Sequence, residues 1–362
     1  MAAALHRLLA AAIVLLSLQA AQGVEKKRLF PAIFVFGDSL ADNGNNNFFL
    51  TLARADMPPN GIDFPSGPTG RFCNGKTIID VLCDFVALPY PPPSLAPTTT
   101  GPIILTGVNY ASAAGGILAS SGRNYIDNMP LLKQLQHFNV TLDAIRKQLG
   151  VANATKHVSD SMFAIVIGSN DYINNYYINS TTRSRYTTRE YREVLISSLE
   201  NNFMTLYSMG ARKFVVSGLG PLGCIPSELS RRNSTGECVE SVNHMVTRYN
   251  LALRKSIKRM NSKLRGAKLI YTDAYRALLE IIHAPSSFGF ENVNSGCCGA
   301  GKFNAQLPCY PLISTVCKHR SSYVFWDAFH PTEAVNVLLG AKFFNGSQSY
   351  ARPINIQRLA SV

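Results

Sequence analysis

Nothing in this 362-residue sequence is long and apolar enough to cross a membrane. The run Leu8 to Leu18 falls short of the ~20 residues that a spanning helix needs, and no later stretch reaches that length. No segment repeats, which excludes a solenoid or a propeller. The eight cysteines lack the paired spacing of zinc ligands. Acidic residues are scarce: 22 Asp and Glu stand against 35 Lys and Arg, for a formal net charge of +13. That excess is spread over Lys26-Lys27-Arg28, Arg183 to Arg192, Arg231-Arg232 and Arg254 to Arg265. With no zinc finger and no basic patch interleaved with aromatics, nucleic acid is not an expected partner.

What is present begins with an address. Leu8 to Leu18 follows Arg7 and precedes Ala20-Ala21-Gln22-Gly23, where small residues at Ala21 and Gly23 suit cleavage after Gly23. Residues 1–23 are read as a signal peptide and 24–362 as one exported domain. All eight cysteines lie in the mature part, in keeping with an oxidising compartment. Cys224 and Cys238 flank a short loop and are expected to pair. Cys297, Cys298, Cys309 and Cys317 cluster in a Gly-rich segment. A zinc site using His319 is the alternative there, and disulfides are preferred. Sequons at Asn139, Asn153, Asn179, Asn233 and Asn345 fit a glycosylated surface. A basic exported protein favours acidic surfaces, pectin-like cell-wall polysaccharide among them.

The architecture follows from alternation. Short apolar runs at Ile33–Phe36, Phe163–Ile167, Phe214–Ser217 and Leu269–Thr272 alternate with amphipathic helices near 131–149, 190–208, 241–265 and 332–344. Continuous apolar strands predict a sheet covered on both faces, hence mainly parallel. The fold class is α/β: a three-layer open sheet. The apolar stripe Val242, Met245, Val246, Tyr249, Leu253, Ile257, Met260 and Leu264 leaves the basic residues of its helix on a solvated face. Pro89 to Pro102 is a Pro/Thr-rich surface loop.

Three separated motifs carry chemistry. Ile33 to Phe36 reads as a buried strand that stops at Gly37, and Asp38-Ser39-Leu40 then turns the chain. A serine at such a strand end is lifted into a cleft. Gly168-Ser169-Asn170-Asp171 stands just after the strand Phe163–Ile167, and Asp327-Ala328-Phe329-His330 lies near the C-terminus. Hydrolysis by serine needs a nucleophile, a base, a group that orients the base and donors for the oxyanion. Ser39, His330 and Asp327 supply the first three. Pro331 disfavours a helical His330 and lets a helix start just after it. Alone, Gly-Asp-Ser is usually a turn and Asp-x-x-His a helix start with a capping carboxylate. Their joint occurrence with Gly168-Ser169-Asn170-Asp171 favours the catalytic reading.

Together, and in this order, the motifs resemble the plant GDSL esterase/lipase family, within the SGNH hydrolase superfamily, from about Phe34 to Phe344. The resemblance implies a flavodoxin-like SGNH-hydrolase fold and a secreted serine esterase or lipase that forms an acyl-enzyme on Ser39. It implies an oxyanion hole of the Ser39 N–H, the Asn170 side chain and a glycine N–H from Asn109-Tyr110-Ala111-Ser112-Ala113-Ala114-Gly115-Gly116-Ile117. The family glycine usually precedes Ile or a similar residue, which selects Gly116, although sequence does not separate it from Gly115. No cofactor or metal is implied. The expected partner is an ester substrate (lipid, cutin-type or acetylated polysaccharide), with the apoplast or cell wall as location. A catalytically weak carbohydrate- or lipid-binding protein, or an acyltransferase using the same acyl-enzyme, is the alternative. The Gly-x-Ser-x-Gly elbow of the α/β-hydrolases is absent, since position 41 is alanine.

One competing motif is set aside. Gly70-Arg71-Phe72-Cys73-Asn74-Gly75-Lys76-Thr77 fits the phosphate-loop pattern letter for letter. A working phosphate loop follows a buried strand, and Pro58-Pro59-Asn60-Gly61 with Phe64-Pro65-Ser66-Gly67-Pro68 cannot form one.

Overall fold

The computed structural model describes residues 27–232 and 235–362. Residues 1–23, read above as a signal peptide, and the sequon at Asn233 lie outside the described residues. Five parallel strands form the sheet: β1 (Ile33–Gly37), β2 (Gly107–Asn109), β3 (Met162–Val166), β4 (Lys213–Ser217) and β5 (Lys268–Thr272). A short strand β6 (Ala351–Arg352) closes one edge antiparallel to β5. The order is β6-β5-β4-β3-β1-β2. The parallel strands thus run 2-1-3-4-5, the flavodoxin-like order, whose switch point lies between β1 and β3.

Seven longer helices flank the sheet: α1 (Ile78–Val86), α2 (Leu131–Leu149), α3 (Val151–Asp160), α4 (Thr188–Ser208), α5 (Glu240–Lys263), α6 (Ala274–His283) and α7 (Glu333–Asn345). One sheet face is aromatic. Phe34 and Phe163 meet Phe138 of α2 at ring separations of 5.1 and 5.4 Å, and Phe214 meets Phe203 of α4 at 6.2 Å. Alternate residues, Ala164, Val166 and Val215, look the other way towards α1, α6 and α7. Period-2 alternation therefore gives each face its own helical layer. No helix among the described residues is long and apolar enough to cross a membrane.

The α2 boundaries agree with the predicted 131–149. Strands and the other predicted helices shift by one or two residues at their ends, because ends fray and side-chain caps move them. Helix α1 was not predicted. Its start is written in Thr77 and Asp80, which form a capping box.

That cap also explains the phosphate-loop match. Thr77 caps its own helix, Lys76 pairs with Asp84 at 2.7 Å, and Arg71 pairs in buried bidentate fashion with Asp80. A Cβ on Gly75 would lie 2.0 Å from Glu333 Oε2. The helix N-terminus is therefore filled by protein carboxylates, and the segment ties to the start of α7 through Asn74 Oδ1, which accepts from Glu333 N–H, and Lys76 O, which accepts from Asn336.

Candidate active site

Ser39 stands where β1 ends. Gly37 is the last strand residue, and a Cβ there would meet Val166 O at 2.6 Å, so glycine is required by the close approach of β3. Buried Gln134 of α2 holds Gly37 from both sides, accepting from its N–H at 2.8 Å and donating to its carbonyl at 2.8 Å. Asp38 N–H then donates to Val166 O, and Ala41 and Asp42 N–H close back on Asp38 O. The chain has no freedom left before Ser39 leaves the sheet, half-buried.

His330 and Asp327 arrive on a tight turn. Asp327 Oδ1 accepts the N–H groups of Phe329 and His330, each at 2.8 Å. Trp326 N–H donates to His330 O at 2.7 Å. The Trp326 indole donates to Asn60 at 2.9 Å, and Ser227 N–H donates to Ala328 O. Upstream, Cys297 and Cys298 N–H donate to Phe325 and Trp326 carbonyls. These two cysteines are disulfide-bonded, Cys297 to Cys317 and Cys298 to Cys309. Cys224 pairs with Cys238 as expected from the sequence. Cys73 and Cys83 are buried thiols, and no group of metal-ligating side chains gathers among the described residues.

The three side chains meet across 291 residues of sequence. His330 Nε2 lies 2.7 Å from Ser39 Oγ, and Nδ1 lies 2.8 Å from both oxygens of Asp327. Two carboxylate oxygens can only accept, so Nδ1 carries the proton and Nε2 is left to accept from the serine hydroxyl. Asp327 and His330 are 9% and 7% exposed, and Phe72 packs its ring 5.2 Å from the imidazole. Water is thus kept off the relay except at the serine.

Asn170 lies just beyond β3. Its Oδ1 accepts from Asn174 Nδ2 at 2.6 Å, and one Nδ2 hydrogen goes to Gly115 O at 2.9 Å. The second amide hydrogen remains for a ligand. Asn174, on the π-helical turn Tyr172–Tyr176, stands four residues after Asn170, the spacing that brings two helical side chains together. The Gly115 N–H donates to Ser112 O. Gly116 faces Ser121 and Asp171, where a Cβ would lie 2.4 Å from Ser121 Cβ. It does not line the cavity; Ala113 and Ala114 do, and Ala114 has left-handed φ of 62°.

Several polar residues that sequence reasoning passed over hold these pieces together. Asp42 accepts from Gly44, Asn45 and Ala113 N–H groups. Asn45 and Asn46 donate to carbonyls of 109, 111 and 113, and Asn109 donates back to Ala41 O. Asp171 accepts from Ile117, Leu118 and Ser121. Burial raises Asp42 and Asp171 to about 6 and Asp38 to about 7. Asp38 Oδ2 has no hydrogen-bond partner. The run Asp42 to Asn47 was the available signal, since polar side chains clustered after a strand must bond backbone if buried.

Ser39, Asp327, His330 and Asn170 line one cavity of about 490 Å³ at the β1/β3 switch point. The GDSL-like lipase/acylhydrolase family model matches residues 33–343. The chain belongs to this family. A GDSL esterase/lipase of Arabidopsis thaliana is 45% identical over 336 residues, 92% of this chain and 86% of that protein. GDSL esterase/lipase 7 of the same plant is 42% identical over 94% of this chain and 95% of its own length. Among solved structures, the acetylxylan esterase Axe2 of Geobacillus stearothermophilus aligns at TM-score 0.41 and 12% identity, covering 88% of this chain and 94% of that one. As a GDSL esterase/lipase, the protein is a carboxylic ester hydrolase of the serine type.

Proposed function

We propose that Ser39 is the nucleophile, His330 the general base and Asp327 the group that orients it. The observation that carries this is the continuous relay Ser39 Oγ to His330 Nε2 and His330 Nδ1 to Asp327. Ser39 Oγ attacks the ester carbonyl as its proton passes to Nε2, and the imidazolium, held by Asp327, then protonates the leaving alkoxide. Water enters, gives its proton to the same nitrogen and releases the acid, so that Ser39 is regenerated.

The oxyanion is held by the Ser39 N–H, the free hydrogen of Asn170 Nδ2 and an amide of the 113–116 turn. Gly115 N–H is committed to Ser112, which leaves Gly116, the residue chosen on sequence, and cavity-lining Ala114 as the two candidates. Residues 1–23 export the chain as a single domain 24–362, and the three disulfides suit the oxidising space outside the cell. The exposed sequons Asn139, Asn153, Asn179 and Asn345 would carry glycans there, beside acidic wall polysaccharide attracted by the excess of Lys and Arg over Asp and Glu.

The test is turnover of p-nitrophenyl esters by purified protein beside a Ser39→Ala control. Turnover confined to the wild type supports the assignment. Equal rates from both proteins would remove Ser39 from the reaction.

A further inference from the structure

Helix α5 differs from its neighbours in charge. Between positions 241 and 272 the sequence has eight Lys and Arg and no Asp or Glu. A solvated helix face normally mixes both signs, as α4 does with Arg189, Glu190, Arg192 and Glu193. On the outer face of α5, Lys255, Arg259 and Lys263 follow one another at i, i+4 and i+8, with Lys258 beside them. Arg265 and Lys268 continue the patch past the helix end, and all six residues are exposed. Lys255, Lys258, Arg259 and Lys263 line one shallow depression together with Ser262. Among the described residues, only Arg259 of the six meets an acid, Glu200.

The patch lies at the opposite edge of the sheet from Ser39. In the first half of α5, Asn243 accepts from Gly223 N–H at 2.8 Å and Asn250 from Leu219 N–H at 2.9 Å. Leu219 lines the cavity. In the last turn, Asn261 bonds both the N–H and the carbonyl of Leu269, at the amino end of β5, each at 2.8 Å. Lys268 N–H donates to Arg212 O, just ahead of β4. About 27 Å of helix separates Asn243 from Asn261. Ser39 follows the carboxyl end of β1, and the strands β1 to β5 are parallel. Catalytic cavity and basic patch therefore occupy two poles of the molecule.

The chemistry of the patch selects its occupant. Its apolar residues, among them Val246, Leu253, Ile257 and Met260, are buried against the protein, and no large apolar side chain is exposed on α5 after Leu251. Without apolar anchors it does not insert into lipid, and without exposed aromatics it offers no base a stacking platform. A second copy of the chain would set like charge against like. The cations without an acid partner are mostly lysines, compact hydrated charges that read charge density more than planar shape. Successive side chains on the stripe stand about 6 Å apart, which suits a linear polymer with a carboxylate on each sugar. The choice of polymer rests on the export proposed above, since anionic phospholipid is concentrated in the cytoplasmic leaflet. We infer that the outer face of α5 is a docking surface for a carboxylated polysaccharide, which holds the protein while leaving the cavity at the other pole free.

The test titrates the mature protein with soluble polygalacturonate at about 50 and 200 mM salt, with binding expected to weaken as salt rises. Lys255→Glu/Lys258→Glu should lose roughly tenfold or more in affinity, and Arg265→Glu/Lys268→Glu should do the same should the first variant fold poorly. Lys302→Glu/Lys318→Glu makes the same change in net charge at exposed positions beside the cystines and should bind as the wild type does. Saturating polymer should leave p-nitrophenyl acetate turnover unchanged throughout. Equal losses from the α5 and the control reversals would assign the attraction to overall charge and overturn the surface. No binding, equal binding to uncharged, fully methyl-esterified pectin, or capture by phosphatidylserine vesicles alone overturns the polysaccharide. Inhibition of turnover by the polymer overturns the free cavity. Polymer binding with no turnover of any ester overturns the hydrolase reading and keeps the surface. Should the tagged full-length chain stay inside expressing cells, export fails while the measured binding stands.

Discussion

Asn174 donates its side-chain amide to Oδ1 of Asn170 at 2.6 Å, four residues back along a π-helical turn. Asn170 is thereby gripped at both ends of its amide, since Nδ2 also reaches Gly115 O. Removing the donor in Asn170→Ala should lower kcat by roughly 10²–10³ with KM little changed. Asn174→Ala keeps the donor but frees its orientation, so a smaller loss, still mainly in kcat, is expected. Steady-state kinetics on a short ester decides both. A near-normal Asn170 variant would remove that residue from the oxyanion hole.

The relay should fail as a unit. Ser39→Ala and His330→Ala are each expected to lose several orders of magnitude in kcat, and the double variant should be little worse than either. Additive losses in the double variant would mean that the two side chains work independently, contrary to their 2.7 Å contact.

The buried acids give a pH signature in stability. Asp38, Asp42 and Asp171 ordinarily titrate at 3.8 and are lifted to about 7, 6 and 6 by burial. A carboxyl raised on folding stabilises the native state fully below its unfolded value, and that contribution is lost as pH climbs through the folded one. Tm should therefore decline between about pH 4 and pH 7. Asp38→Asn keeps the acceptor used by Leu40 N–H and cannot ionise, so its decline above pH 6 should be shallower. Scanning calorimetry in matched buffers would expose an unchanged slope, which would contradict the raised Asp38.

The disulfides next to the Asp327–His330 turn bear on rate as well as stability. Cys297 and Cys298 bond the strand that immediately precedes Asp327. Replacing Cys298 and Cys309 together by serine should cost about 2–5 kcal/mol of stability. It should also lower kcat at temperatures where circular dichroism still reports a folded chain. Full activity in that folded variant would separate the turn from its cystines.

Much of this was legible before the structure. Ser39, His330, Asp327 and Asn170, proposed above as nucleophile, base, orienting acid and oxyanion donor, were picked out because each sits where a periodic segment ends, and such breaks show in one dimension. The strands Ile33–Gly37 and Met162–Val166 were visible as unbroken apolar runs for the same reason. Helix α1 is only nine residues long; its start is marked by the Thr77–Asp80 capping box, and so short an apolar stretch is easily taken for a strand or a loop. The two-residue strand β6 pairs antiparallel to β5 through partners nearly eighty residues away, which no local pattern encodes. Gly116 was chosen by its neighbour in sequence, whereas its surroundings, Ser121 and Asp171, come from the fold. The carboxylate web of Asp42 and Asp171 was hidden too, because sequence gives the groups but not their burial.

The separation of 291 positions between Ser39 and His330 also sets an order in time. A ribosome delivers the proposed nucleophile at position 39 of 362 and the proposed base only at position 330. Until then the emerging polypeptide has a hydroxyl with nothing to take its proton. A chain that stops before Asp327 lacks the proposed base and its partner, and is expected to be inactive. Activity is therefore expected only from a chain that has been read past His330.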